Sequence, residues 1–424
     1  SAISSNGKRL ILGGFGSGAF ARVYNWNGTD WDQLGTDLDG DTENDEFGEY
    51  VSITSDGNRV AIAGSRNDTN GNNAGHVKVF DWDGTSWNAV GSQILGDNAK
   101  YLFGFRGVHL SGDGNSIAIP SFRAGYIYVY DWNGKVWKKR AGSFSISPEP
   151  NGANNQFPGQ VYLSMNGNRI VFGSISEGAR GQVRIYDWNS GSNSWTLYAQ
   201  MDGTTGRFGN TVELTRDGKH LALGEYDTSS VSVYNISGIN PVKIGADITD
   251  DTQTSYWRYI SLSDDGKRLG IPNLSKNKIS IYDWNGTAWN QFGEDISATG
   301  WWGESFDMSS DGTIFTSSGH GLPNRVFNIL NLKYIVTTLP ANGTLTEGAK
   351  TIGSGDLPYT LTTLDQKLTY TPNNNFSGTD SYKFKLNDGI EDSTDKVSGI
   401  REDSTVTITI NDFVLALSDN YTIT

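Results

Sequence analysis

The chain has 424 residues and a formal net charge of −14 at pH 7. Such an acidic chain repels phosphate backbones and anionic lipid headgroups, which argues against binding to nucleic acid or to a membrane surface. It contains no cysteine, so disulfides and thiolate metal sites are excluded. No apolar run approaches the roughly 20 residues of a membrane span, so we expect no membrane insertion.

The first recurring element is a short apolar hairpin, seen most clearly in Val51–Gly64, VSITSDGNRVAIAG. Asp56-Gly57 tolerates the positive φ of a tight turn, and Val, Ile and Thr on either side suit a half-buried strand. The same pattern occurs seven times, at spacings of 46 to 57 residues, and this predicts a repeat protein. The turn glycines are Gly7, Gly57, Gly114, Gly167, Gly218, Gly266 and Gly312.

A second hairpin follows the first in most repeats, as in Tyr126–Trp137, YIYVYDWNGKVW. One repeat is therefore a meander of four antiparallel strands. A single sheet of this kind cannot bury both apolar faces, so the copies must pack face to face, and a ring leaves the fewest free edges. We predict an all-β protein in which residues 1–331 form a seven-bladed β-propeller.

Ring closure and the last blade depart from the regular pattern. The seventh repeat reads RVFNILNLKYIV, without either tryptophan of the second hairpin, so blade seven is predicted to lack a proper outer strand. The first repeat begins directly at its first strand. The ring is expected to close either by side-chain packing alone or with a strand supplied by chain beyond the ends.

Ten of the 13 tryptophans flank the turn of the second hairpin, in pairs such as Trp132 and Trp137. A tryptophan that recurs at one place in each blade is most simply a packing residue, although aromatic rows also bind sugars. Trp301 and Trp302 break the pattern and are our candidate ligand-binding residues.

The blade motif resembles the FG-GAP repeats of integrin-α-type propellers and related microbial surface proteins. The resemblance rests on the Phe47-Gly48 lead-in, the Asx-Gly hairpin and third strands such as GHVKVFDWDG. It covers about 330 residues and implies the propeller fold. The family often carries a calcium loop between the second and third strands, but here that loop in blade two, residues 67–71, contains one carboxylate.

A different pattern begins near Leu332, where alternating strands without the 50-residue period predict one β-sandwich over residues 332–412, immunoglobulin- or cadherin-like. The segments LTYTPNNNFSGTDSYKFKLNDG and VTITIND resemble bacterial cadherin-like repeats found in tandem adhesins. That resemblance implies inter-module calcium at Asn411 and Asp412. Residues 413–424 are predicted to begin a further module, or to form a strand donated to a neighbouring copy of the chain.

The segment DLDGDTENDE places carboxylates at alternate positions, an arrangement that hard cations favour. Asp37, Asp39, Asp41 and Asp45 are therefore candidate calcium ligands, with a solvated acidic turn as the alternative. We expect no other cofactor.

The four histidines lie at four different positions of the repeat, so no convergent catalytic set is expected in the channel. We therefore predict a non-enzymatic structural or adhesive segment of a larger surface fibre, filament or adhesin. It would be extracellular or exposed on a cell or virion surface, and would bind neighbouring copies, adjacent modules or surface glycans. The alternatives are a carbohydrate-binding adhesin head and a propeller glycan hydrolase or lyase.

Overall fold

The computed structural model describes residues 1–14, 20–145, 156–176, 181–203, 208–225, 228–249, 259–297, 302–319, 322–329, 333–361, 368–387, 404–410 and 421–423. The chain forms two compact units, Ser1–Val326 and Phe327–Thr424. The described residues are β-strands and turns with one short 3-10 helix, which confirms the predicted all-β class. Among them we find no helix long and apolar enough to cross a membrane.

The described residues among the first 328 form seven antiparallel sheets, which we call blades one to seven. Blade one contains β1 (Ala2–Ile3), β2 (Arg9–Gly14), β3 (Phe20–Trp26), β4 (Trp31–Gln33) and β5 (Leu38–Asp39). Blade two contains β6 (Phe47–Ile53), β7 (Arg59–Gly64), β8 (His76–Trp82), β9 (Trp87–Ala89) and β10 (Ile94–Leu95). Blade three contains β11 (His109–Leu110), β12 (Ser116–Ser121), β13 (Tyr126–Trp132), β14 (Trp137–Lys139) and β15 (Phe144–Ser145). Blade four contains β16 (Gln156–Leu163), β17 (Arg169–Ser176), β18 (Gln182–Asn189) and β19 (Ser194–Asp202).

The remaining blades repeat this order. Blade five contains β20 (Phe208–Leu214), β21 (His220–Glu225), β22 (Ser230–Asn235), β23 (Val242–Lys243) and β24 (Ile248–Thr249). Blade six contains β25 (Ser261–Leu262), β26 (Arg268–Asn273), β27 (Lys278–Trp284), β28 (Trp289–Gln291) and β29 (Ile296–Ser297). Blade seven contains β30 (Trp302–Met308), β31 (Ile314–Gly319) and β32 (Leu322–Asn328). Its sheet has three strands in the described part of the chain, in agreement with the predicted missing outer strand.

Each first-hairpin turn is built by one local motif. Thr54 donates its hydroxyl proton to Asp56 Oδ1 (2.7 Å), which also accepts the Asn58 amide (2.9 Å), and Gly57 has a φ of +75°. The same hydroxyl-to-Asx bond occurs in all seven turns, at 2.6 to 3.0 Å. The side chain of the Asx thus makes the turn, and this explains why Asp or Asn recurs there. We call the Ser or Thr whose hydroxyl donates this hydrogen bond to the Asx side chain the turn hydroxyl.

A closed circle of hydrogen bonds joins the seven turns. In each turn these bonds are made by residues one or two positions after the turn hydroxyl. Most of these bonds link backbone to backbone, and one runs from the Arg216 amide to the Asp264 carboxylate. Ser310 N donates to Ser5 O (2.9 Å), which closes the circle between blades seven and one. The ring therefore closes with main-chain hydrogen bonds between the turns of blades seven and one, rather than by side-chain packing alone, and a strand supplied by chain beyond the ends stays a prediction.

Arginines at the start of the second strand link neighbouring blades. Arg59 forms a two-point ion pair with Asp81 of its own blade and donates from Nη1 to Gly114 O in blade three (2.6 Å). Arg9, Arg169 and Arg268 reach the next turn glycine in the same way.

The paired tryptophans also join blades. Trp132 and Trp137 are direct cross-strand partners with ring centroids 5.4 Å apart, and Trp137 Nε1 donates to Val90 O of blade two (2.9 Å). Trp87 and Trp289 bind the preceding blade equivalently, which supports the packing interpretation.

The second unit consists of two four-stranded antiparallel sheets around one apolar core. The assignment as a cadherin-like sandwich stays a prediction. Residues 421–423 pair with the strand Leu368–Pro372 of the same unit, and a donated C-terminal strand likewise stays a prediction. The elements are β33 (Lys333–Val336), β34 (Gly343–Glu347), β35 (Lys350–Thr351), the 3-10 helix Ser354–Asp356, β36 (Tyr359–Thr360), β37 (Leu368–Pro372), β38 (Gly378–Asn387), β39 (Ser404–Ile410) and β40 (Tyr421–Ile423).

Candidate active site in the central channel

The first strands of the blades surround a cavity of about 130 Å³ in the propeller channel. The residue two positions before the turn hydroxyl lines this cavity in most blades, and we call it the channel position. In blades three, four, five and seven it is an ionisable residue: His109, Tyr162, Glu213 and Asp307. The expectation that no convergent set exists in the channel was therefore wrong.

Glu213 is the carboxyl of this set whose surroundings most favour the protonated form. Loss of hydration raises the pKa of its carboxyl well above the usual range, and the negative charge of Asp307 raises it further. A hydrogen bond from the Tyr162 hydroxyl acts in the opposite direction but is the weaker effect. The Glu213 side chain is half-buried, so its charged form loses part of its hydration. The protonated form of Glu213 is consequently favoured over a wider pH range than that of an exposed glutamate.

Asp307 lies in a more polar setting. Its Oδ2 accepts the amide of Ile3 and its Oδ1 accepts the amide of Met308, both at 2.8 Å. Burial raises the pKa of Asp307 above its usual value, and the charge of Arg216 and the two amides offset only part of this rise. Hydrogen bonds to the charged form favour ionisation, so Asp307 is the member of the pair that ionises first.

His109 is neutral. Its Nδ1 accepts the Leu163 amide (3.1 Å), which leaves the ring proton on Nε2, and its ring centroid lies 4.6 Å from that of Tyr162. Burial lowers the pKa of His109 to about 3, and the charge of Arg216 adds to this effect. The residue can hold Tyr162 in place and donate from Nε2 without carrying a charge.

Arg216 closes the turn end of the channel. It donates from Nη1 to Ser310 Oγ (2.6 Å) and from Nη2 to Ile3 O (3.2 Å), and its Nη1 lies 3.8 Å from an oxygen of Asp264. These contacts hold a positive charge at a defined place beside the acid pair.

The opposite end of the channel, which we call the mouth, is lined by the residues four positions before the turn hydroxyl. Tyr50, Gln160 and Tyr259 occupy this position in blades two, four and six. Burial raises the pKa of Tyr50, with a further contribution from Tyr259. The mouth therefore offers neutral hydroxyl and amide groups to a polar ligand.

The structure does not gather the four predicted aspartates around one point. Asp37 makes a two-point ion pair with Arg22 (2.8 Å for both bonds), which lowers the pKa of Asp37. Asp39 is exposed at the end of β5, and the other two carboxylates lie elsewhere in the turn.

Asp41 and Asp45 do approach each other and the buried His76, with donor atoms within 4.8 Å. However, Lys78 Nζ donates to Asp41 (2.6 Å), and the Asn67 amide donates to both carboxylates. An ammonium group and an amide NH₂ thus take the places that a cation would need. These residues do not fit a calcium ion.

Of the other predicted site residues, Trp302 alone lies among the described residues. Trp302 begins β30, where its backbone pairs with Gly319. Trp301, Asn411 and Asp412 lie outside the described residues. Their proposed roles stay predictions.

No protein-family model and no curated protein sequence matches this chain. Its fold is similar to that of the β-propeller domain of Cps50 (Swd1) from Myceliophteria thermophila, with a TM-score of 0.56, 12% identity, and coverage of 77% of this chain and 96% of that one. It is also similar to a putative 6-phosphogluconolactonase from Bacteroides uniformis, with a TM-score of 0.56, 14% identity, and coverage of 76% of this chain and 92% of that one. The periplasmic gluconolactonase PpgL from Pseudomonas aeruginosa has a TM-score of 0.56 and 17% identity, with coverage of 76% of this chain and 92% of that one.

The chain has the β-propeller fold. At these identities the similarity shows the fold alone, and membership of the FG-GAP and cadherin-like families stays a prediction. The predicted non-enzymatic structural or adhesive role is contradicted, because several propellers of this fold are named as gluconolactonases. The prediction failed because it depended only on whether the histidines share one position of the repeat. The informative pattern in the sequence was the recurrence of polar residues at the channel position of several repeats.

Proposed function

We propose that the propeller is a hydrolase that opens a small cyclic ester, such as the lactone of a sugar acid, in its central channel. The observation that carries this proposal is that Glu213 and Asp307 line one cavity in the channel, with surroundings that raise the pKa of Glu213 well above its usual range and give the Asp307 carboxylate two amide hydrogen bonds. Two carboxyl groups whose environments separate their pKa values are suited to acid and base roles. The gluconolactonase names among propellers of similar fold support a lactone as the substrate.

The chemistry follows from these two groups. Ionised Asp307 takes a proton from water as the water oxygen forms a bond to the lactone carbonyl carbon. The negative charge that develops on the carbonyl oxygen is balanced by the fixed guanidinium of Arg216. When the ring C–O bond breaks, the departing ring oxygen takes the proton of Glu213. The product is an open hydroxy acid, and solvent returns the proton from Asp307 to Glu213.

The small cavity favours a small substrate over a polymer. At about 130 Å³ it lies below the usual range of about 300 to 1,000 Å³ for drug-sized ligand sites. The circle of turns around Arg216 also narrows the channel at one end. A glycan hydrolase would need room for both sides of the cleaved bond.

Lactone hydrolysis by the purified chain tests the proposal. With glucono-δ-lactone near pH 6, we expect acid release above the spontaneous rate, and a loss of about 100-fold or more in Glu213→Gln and in Asp307→Asn. Asp113→Asn is the matched control, because blades one and four carry Asn at the same turn position. Activity that is unchanged in both channel variants, or absent for a panel of lactones, would exclude this function.

We also infer a location outside the cytoplasm. The periplasmic gluconolactonase of similar fold and the resemblance to surface-protein repeats support it. Contacts with surface glycans or adjacent modules remain part of this proposal. Fractionation of the source cells, with detection of the chain by antibody, tests the location.

A further inference from the structure

The second tryptophan of the pair is seated differently in blade one. In blades two, three and six its indole Nε1 donates to a backbone carbonyl of the preceding blade, at 2.8 to 2.9 Å. These bonds run from Trp87 to Leu34 O, from Trp137 to Val90 O and from Trp289 to Ile244 O. Trp31 is the equivalent residue of blade one, and the repeat directs it towards blade seven.

A glycine follows each acceptor carbonyl. Gly35, Gly91 and Gly245 have φ values of +71° to +78°, in the left-handed region that a residue with a side chain rarely adopts. A Cβ atom added to any of them would lie 2.5 to 2.9 Å from a ring of the tryptophan pair in the next blade. Both the backbone conformation and the available space therefore require glycine. We call a Leu, Val or Ile followed by a left-handed glycine at this place the aliphatic-Gly element.

The contact between blades three and four shows a variation of this arrangement. Ala141 there precedes Gly142, which has a φ of +83° and whose added Cβ atom would lie 3.6 Å from Trp195. The Trp195 indole nitrogen is buried and has no hydrogen-bond partner among the described residues. The glycine is thus present at each of the four contacts, whereas the hydrogen bond accompanies the larger aliphatic residue.

In blade one the tryptophan pair has the same shape but lacks this cover. The ring centroids of Trp26 and Trp31 lie 5.6 Å apart at an interplanar angle of 50°, and those of Trp82 and Trp87 lie 5.4 Å apart at 52°. Blade seven ends after its third strand in the described part of the chain, so no aliphatic-Gly element is seen there. Trp31 Nε1 makes no hydrogen bond with the described residues, and the residue is half-buried. The pair is therefore preformed for a partner that these residues do not supply.

We propose that the pair Trp26 and Trp31 is a docking site for a strand of another polypeptide that contains an aliphatic-Gly element. The strand adds to blade seven as its fourth strand. The carbonyl of its aliphatic residue accepts the Trp31 indole proton, and its glycine lies against the two rings. Addition of a strand to an incomplete sheet is a common mode of peptide recognition, in which backbone hydrogen bonds give affinity and side-chain contacts give specificity.

The occupant is assigned to another polypeptide because this chain offers no free copy of the element in its described part. The element occurs there three times, and each copy is already bound by the next blade. Residues 413–424, predicted above to be a donated strand, contain no glycine and so do not carry the element.

Peptide titration of the full chain tests the proposal. The probe is the end-capped peptide VKIGADIT, which copies residues 242–249 and carries one Lys and one Asp. Isotope labelling of tryptophan gives one indole N–H signal for each residue, and Trp31→Phe identifies the signal of Trp31. We expect saturable binding below about 1 mM that shifts this signal towards the hydrogen-bonded position. Trp31→Phe should bind the peptide about fivefold more weakly, because it keeps a ring but loses the N–H donor.

Two matched controls separate docking from general effects. A peptide with alanine in place of Gly245 should bind about tenfold more weakly or worse, because its Cβ meets the rings and the left-handed conformation is unfavourable. Trp137→Phe removes the same N–H donor from a seat that blade two already fills. It should therefore leave the peptide affinity within about twofold of that of the unchanged chain.

Several outcomes overturn the proposal. These are no binding at about 1 mM peptide, equal affinity for the glycine and alanine peptides, or equal losses in Trp31→Phe and Trp137→Phe. A dimer of the chain alone that Trp31→Phe dissociates in sedimentation would also overturn it, because the occupant would then be a second copy. Lactone hydrolysis does not use this site, so Trp31→Phe should keep the activity of the unchanged chain, and the two proposals are tested separately.

Discussion

Asp307 in blade seven raises the pKa of Glu213 in blade five, although 94 residues separate them in the sequence. Both occupy the channel position of their repeat, so the ring symmetry of the propeller brings them to one cavity. The relationship makes the acid pair sensitive to pH and to substitution, and it can be tested without knowledge of the substrate.

Stability should fall as Glu213 is forced to ionise. Its pKa is raised in the folded chain, so the favourable contribution is complete below the unfolded value of about 4.3 and is lost as pH rises through the folded pKa. Glu213→Gln cannot ionise, and its melting temperature should therefore gain on that of the unchanged chain as pH rises above the unfolded pKa of about 4.3. We expect at most about 1.4 kcal/mol per pH unit in the affected range. A difference between the two chains that does not change with pH would contradict the raised pKa.

His109 should have the opposite dependence. Its folded pKa of about 3 lies below the usual value of 6.5, so the folded chain loses stability as pH falls from 6.5 towards 3. His109→Asn keeps an acceptor for the Leu163 amide and removes the titration. Urea unfolding at pH 7, 5 and 4 should show a shallower loss in the variant, by up to about 1.4 kcal/mol per pH unit. Parallel slopes in the two chains would show that His109 is protonated in the fold.

Arg59 should contribute measurably to the contact between blades two and three. Arg59→Gln removes the ion pair with Asp81 and the hydrogen bond to Gly114 O. Because Asp81 is partly exposed and can rehydrate, we expect a loss of about 1 to 3 kcal/mol of unfolding free energy. Arg123→Gln at an exposed position should change stability by less than about 0.5 kcal/mol. Equal effects of the two substitutions in thermal or urea unfolding would refute the role of Arg59.

Calcium should not stabilise the acidic turn. Lys78 and Asn67 already occupy the carboxylates of Asp41 and Asp45, and a cation bound only to the folded chain would raise the melting temperature by mass action. We expect the same melting temperature in EDTA and in millimolar calcium. A rise of several degrees with calcium that Asp45→Asn abolishes would show that the site takes the ion after all.

Much of the blade could be predicted from the sequence because its causes are local. The turn at Thr54, Asp56 and Gly57 is made by residues within three positions of one another, and it recurs in every repeat. The two tryptophans of each pair likewise flank the turn of one hairpin. Seven copies of such a motif, each with apolar faces that need a partner, already indicate the propeller.

The candidate site required the tertiary structure. The high pKa of Glu213 arises from desolvation and from a charge brought near it by ring closure, and neither is encoded in the neighbouring residues. The acidic turn shows the converse, since its spacing of carboxylates suits a cation but Lys78 arrives from a strand 37 residues away from Asp41. Periodic hydrophobicity and turn chemistry act over a few residues, whereas electrostatic environment depends on groups that only packing brings together.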